Sequence, residues 1–156
     1  MPNWCENKLT VQDPTPSLQA YLKEHGFSFA RMCPVEETDD PDDDIRAISR
    51  QADVWGTKWD LTETEGNLVA ADLVGSGEAF FNTAWSPPVQ ALRALSLRCP
   101  GDTLRLDYHE PGMMFAGSAS FHGGRVHQAH VEDGPSVMRI GREVFGYEDE
   151  DDDEDG

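Results

Sequence analysis

TLRLDYHE-PG-MMFAGSASFH-GG-RVHQAHVE, residues 103–132, reads as three strands joined by two glycine turns. The expected strands are Thr103 to Glu110, Met113 to His122 and Arg125 to Glu132. Each alternates apolar and polar residues, the period of a half-buried strand. Taking Pro111-Gly112 and Gly123-Gly124 as two-residue loops fixes a register and sorts the side chains onto two faces. One face carries Leu104, Leu106, Tyr108, Glu110, Met113, Phe115, Gly117, Ala119, Phe121 and Val126. The other carries Asp107, His109, Met114, Ser118, Ser120, His122, Arg125 and His127. The first face is expected to pack on helices, and the second to meet water or a partner.

Towards the N-terminus, Trp4 to Gln12 alternates as a first strand, with Cys5, Asn7, Leu9 and Val11 on one side. Thr15 caps a helix that begins at Pro16 and closes at Gly26, with Leu18, Tyr21, Leu22 and His25 as its stripe. Phe27 to Met32 reads as a short strand, and about Asp43 to Ala52 as a helix. Leu61 to Thr64 and Leu68 to Val74 read as strands around a turn at Glu65-Gly66-Asn67. Glu78 to Trp85 then runs back, and Ser86-Pro87-Pro88 opens a helix with Val89, Leu92, Leu95 and Cys99 inward. Val137, Ile140, Val144 and Phe145 mark a terminal helix.

Strand, helix, strand pair, helix, strand is the order of a ferredoxin-like βαββαβ sandwich. The expected class is therefore α+β. An acidic insertion, extra antiparallel strands, a C-terminal helix and a disordered acidic tail are added to it. Residues 1–147 form one domain in this reading, and 148–156 form the tail.

Charge is concentrated. The 156 residues carry a formal net charge of −18, and two runs account for most of it. Glu36, Glu37, Asp39, Asp40, Asp42, Asp43 and Asp44 form the first. Glu148, Asp149, Glu150 and Asp151 begin the second, which continues to Asp155. Like-charge blocks repel themselves and stay solvated. With no basic patch evident, direct binding of duplex DNA is not expected. Three scattered cysteines, Cys5, Cys33 and Cys99, fit a reducing cytoplasm and buried packing roles rather than a zinc site or a disulfide framework. No apolar run is long enough to span a membrane, and no signal peptide is evident.

Chemistry-bearing motifs are few. Trp55-Gly56-Thr57-Lys58-Trp59-Asp60 places two indoles, a cation and a carboxylate together. If Lys58-Trp59-Asp60 begins a strand, Lys58 and Asp60 share a face and can pair beside an aromatic wall. The other reading is a loop anchored to a core. Asn3, Trp4, Trp55, Lys58, Trp59, Asp60, Trp85, Tyr108 and Glu110 are the candidate pocket residues. Glu110 stands out because a carboxylate on an apolar face needs a partner or a raised pKa. His109, His122 and His127 share the polar face, but nothing arranges them tetrahedrally. No metal, cofactor or catalytic residue is assigned, and an enzymatic role is not favoured.

Pro2-Asn3-Trp4-Cys5 with Asn7, Trp55 to Asp60, Thr83 to Pro88, and Tyr108, Glu110, Gly112, Phe115 and Gly117 together resemble the YubB-like family. The resemblance runs from Pro2 to about Phe121. It implies a ferredoxin-like domain carried by plasmids and phages, and a bacterial cytoplasmic setting. It supplies no catalytic residues, and both acidic runs depart from it. The expected function is a non-enzymatic accessory protein of a mobile element. It would bind a host protein with a basic nucleic-acid-binding surface through its acidic runs, in a DNA-mimic or anti-defence role. The alternatives are a small-ligand or enzymatic pocket at the Trp/Lys/Asp motifs, and single-stranded nucleic-acid binding on the open sheet face.

Overall fold

The computed structural model describes residues 3–33, 54–57 and 60–147. Strand β1 (Trp4–Val11) is followed by helices α1 (Pro16–His25), α2 (Phe29–Met32) and α3 (Glu63–Ser76). Strand β2 (Glu78–Ala84), helix α4 (Val89–Arg98), strands β3 (Thr103–Glu110), β4 (Phe115–His122) and β5 (Arg125–Val131), and helix α5 (Gly134–Phe145) complete the order. The strands form one antiparallel sheet in the order β2-β1-β3-β4-β5.

Alternation builds this sheet. Cys5, Asn7, Leu9 and Val11 of β1 are all buried on one side. On the same side, Leu104, Leu106 and Tyr108 of β3 pair with Phe121, Ala119 and Gly117 of β4. Leu18 and Leu22 of α1, Leu73 of α3, and Leu92 and Leu95 of α4 close over that face. Each fully buried large side chain contributes roughly 1.5–3 kcal/mol. At the base of the sheet the buried Asp102 accepts the Thr15 N–H at 2.9 Å and its hydroxyl at 2.6 Å. That bond pair ties the start of β3 to the cap of α1.

The α+β expectation stands, with extra strands and a C-terminal helix. Several elements are placed differently. Phe27 to Met32 is no strand: Phe29–Met32 is one helical turn with both end residues buried. Leu61 to Thr64 and Leu68 to Val74 are not strands either, and Glu65-Gly66-Asn67 is no turn, because all but the first two of these residues lie within α3. The Thr62 hydroxyl accepts the Glu65 N–H at 3.2 Å and donates to its carboxylate at 2.8 Å, a variant of the capping box. Gly66, Val69, Ala70 and Leu73 then form the inward stripe of a helix. Gly66 is needed there because α3 presses against the Phe27 carbonyl, leaving no room for a Cβ. With those expected strands absent, β1 still lies between β2 and β3. The helix expected at Asp43 to Ala52 lies outside the described residues.

The β3–β4 turn also differs. Glu110 pairs with Phe115, so residues 111–114 make a four-residue turn in place of the expected Pro111-Gly112 loop. The register moves by two residues. Because side chains alternate with period two, the strand residues keep their assigned faces. The Gly123-Gly124 loop has two residues, as expected, with His122 paired to Arg125.

The polar face is not simply open. Helix α5 packs on β3 and β4 from that side, and His109 beneath it is only 2% exposed. The amphipathic stripe of Val137, Ile140, Val144 and Phe145 explains this: it needs an apolar floor, which Ala116 helps to form.

Candidate binding site

One end of the sheet gathers most of the sequence motifs. Asn7 faces inward on β1, and its amide donates to Thr83 Oγ1 at 2.9 Å and to the Cys5 carbonyl at 3.0 Å. Thr83 in turn donates to the Ser86 carbonyl at 2.6 Å. The Trp85 N–H bonds the Asn3 carbonyl at 2.8 Å. Residues 54–57 dock on this turn: the buried Thr57 hydroxyl donates to the Ala84 carbonyl at 2.8 Å, and Ser86 donates to the Gly56 carbonyl. Gly56 sits at φ +87 against the Pro87 carbonyl and the Val89 nitrogen, where a Cβ would clash.

Glu110 closes the same end. Its carboxylate accepts the N–H groups of Gly112 at 2.9 Å and Met113 at 2.5 Å, which satisfies the buried charge with turn backbone. Gly112 lies against the Asn3 side chain. Asn3, Trp4, Trp85 and Glu110 are thus brought together.

The other candidate residues serve elsewhere. Trp55 is buried against Phe29 and donates its indole N–H to the Cys33 carbonyl at 2.7 Å. Asp60 sits at the start of α2 and accepts from the Ser28 hydroxyl at 2.7 Å and from the N–H groups of Phe29, Ala30 and Leu61. Lys58 and Trp59 lie outside the described residues. Tyr108 is buried under β5: Gln128 donates to its hydroxyl at 2.8 Å, and the His130 ring nitrogen lies 2.8 Å away. Clefts of about 430, 210 and 410 Å³ lie on the surface, and none is lined by any of the candidate pocket residues.

Nucleophilic chemistry finds little support among the described cysteines. Burial, with Glu110 nearby, pushes the Cys5 thiol up to about 12, so no thiolate forms near neutrality. Burial also raises Cys99. The described residues hold no group of three or more His, Cys, Asp or Glu side chains able to bind a metal ion. His122 and His127 are exposed on the polar face, whereas His109 is covered by α5.

That cover is a second small network. His109 stacks on Phe145 and meets Tyr147 edge-on, with Gly141 against its ring. Burial lowers the His109 pKa, and Glu6 and Glu110 act in the opposite direction. The Tyr147 hydroxyl donates to Glu6, and burial followed by that carboxylate raises it to about 12. Sequence reasoning passed over Asn7, Thr83 and Thr57 as site residues. Polar side chains at inward strand positions were the available signal for the first two.

The acidic residues Glu36, Glu37, Asp39, Asp40, Asp42, Asp43 and Asp44, and Glu148, Asp149, Glu150 and Asp151, all lie outside the described residues. Among the described residues no helix is long and apolar enough to cross a membrane.

An antiparallel sheet with helices packed chiefly on one face, and motifs gathered at one end, defines a ferredoxin-like α+β protein. A family model described as the ferredoxin-like domain in Api92-like protein matches residues 54–155, more than half of the chain. The chain belongs to this family. No curated protein and no solved structure matches it.

Proposed function

We propose that this chain is a non-enzymatic, protein-binding accessory protein of a bacterial mobile element, of the YubB-like kind, acting in the cytoplasm. Its partner is a host protein with a basic nucleic-acid-binding surface, which the acidic runs occupy in place of DNA. One observation carries the reading: the described polar motif residues are largely consumed by the fold, although Asn7 Oδ1 is buried without a partner. Asp60, Glu110, Thr57 and Asn7 direct their bonds to neighbouring backbone and side chains, not into a cavity. The two runs offer a partner fifteen carboxylates, a charge density beyond what solubility requires.

The test is capture from bacterial lysate on the immobilised chain at low and high salt, with duplex DNA as competitor. Nucleic-acid-binding proteins should be retained at low salt, displaced by DNA, and lost when both acidic runs carry Asn and Gln. Capture that survives neutralisation and ignores salt overturns the proposal.

A further inference from the structure

Strand β5 is a sheet edge without the usual protection. Edges are normally shielded by charge, proline, a bulge or a covering element, because their free amides and carbonyls can pair with another chain. In β5 the only formal charge is Arg125 at the first position, and there is no proline. Its pairing with β4 runs from Arg125 to Val131 without a bulge. Among the described residues nothing pairs with its outer side. The opposite edge differs. Strand β2 opens with Glu78, which pairs with Lys8, and the Thr57 hydroxyl takes the carbonyl of its last residue, Ala84.

Register shows which groups are free. His122 and Arg125 close a two-residue turn with Gly123 and Gly124 both at positive φ, so they form a hydrogen-bonded pair. Alternation then gives the bonds to β4 to Arg125, His127, Ala129 and Val131. The N–H and C=O groups of Val126, Gln128 and His130 point outward. At the middle of this row the Gln128 amide is held by its bond to the Tyr108 hydroxyl at 2.8 Å. It keeps a second N–H and its oxygen without a partner among the described residues. Apolar groups stand at both ends of the row. Leu97 of α4, 54% exposed, lies against Gly124 at one end, and His130 packs on Tyr108 and Phe115 at the other.

We infer that two copies of this chain pair edge to edge through β5, antiparallel about a two-fold axis at Gln128, and so join their sheets into one. The strand is complementary to itself. With Gln128 facing the partner's Gln128, Val126 faces the partner's His130, His127 the partner's Ala129, and Arg125 the partner's Val131. The pairs made by Val126, Gln128 and His130 each exchange two backbone bonds, which satisfies the whole outward row. No like charges stand opposite each other, and the two Gln128 amides can bond reciprocally. The two-fold also carries Leu97 towards the partner's His130 and Phe115. The inference is independent of the acidic-surface reading, and salt separates the two. Each copy carries a net charge of −18, so screening strengthens this pair, whereas it weakens capture of a basic partner.

Sedimentation equilibrium of the full chain over a concentration series, at low and high salt, tests it together with disulfide trapping. The native chain should show a concentration-dependent dimer that is tighter at high salt. Gln128→Glu sets two carboxylates opposite each other and should weaken the dimer about tenfold, with folding checked by Tm. Gln128→Cys should give a covalent dimer on mild oxidation. A directly opposed hydrogen-bonded pair holds its Cα atoms about 5.5 Å apart, within disulfide reach. His127→Cys lies off the two-fold and should trap little, and the native chain with its three cysteines serves as the blank. The trapping comparison decides the matter if Gln128→Glu does not fold. A monomer at every concentration and salt, a dimer unchanged in folded Gln128→Glu, or equal trapping at positions 127 and 128 overturns the inference.

Discussion

Trp55 and Trp85 belong to neighbouring segments and do opposite things. Trp55 turns its ring into the core against Phe29 and gives its N–H to the Cys33 carbonyl. Trp85 keeps more than a third of its surface in water and holds a backbone conformation that costs free energy. One ring is a joint in the core, the other stays partly in water. The same residue type therefore carries no functional meaning by itself. What separates the two is where the surrounding hydrogen bonds go.

The largest expected effect breaks the joint. Trp55→Ala should cost about 3–5 kcal/mol, since the cavity left beside Phe29 cannot fully collapse. Urea unfolding should show a lower midpoint with the slope unchanged. A loss under about 1 kcal/mol would mean that the site repacks freely.

Asp60→Ala comes next. It removes an acceptor for three amides and one hydroxyl at the start of α2, for an expected loss of about 1–2 kcal/mol. Asp60→Asn should recover part of that loss.

A smaller effect sits under α5. Burial lowers the folded pKa of His109 below its ordinary value of 6.5, against the pull of Glu6 and Glu110. Well above pH 6.5 the ring is neutral in folded and unfolded chains and contributes nothing to pH dependence. As pH falls below 6.5, the unfolded chain takes the proton first, so stability is lost until the folded pKa is passed. Comparing Tm at pH 7 and pH 5, the native chain should lose more than His109→Gln. Equal losses would show that α5 does not cover the ring in solution.

Legibility in the sequence followed the range of the forces involved. The β3–β4–β5 faces could be read because period-two alternation is local and survives a two-residue change of turn. Helix α3 could not, because Glu65-Gly66-Asn67 resembles a turn and splits the helical pattern into two short apolar runs. The deciding features were the Thr62–Glu65 cap and the close approach of Gly66 to Phe27, and only the first is visible in sequence. At the candidate site, Glu110 was conspicuous as an inward carboxylate. Its partners in the turn backbone were not, since they depend on a turn length that sequence misjudged. The cover over His109 was hidden for a similar reason: the terminal helix was legible, but not the face on which it would land.

The central claim is that stability and partner recognition reside in different residues. It is tested most directly by urea unfolding, at low salt, of a chain whose two acidic runs carry Asn and Gln. The account predicts stability equal to or above that of the native chain, because mutual repulsion is removed and no packing is lost. A loss of more than about 1 kcal/mol would contradict it, by showing that the acidic runs help to hold the fold.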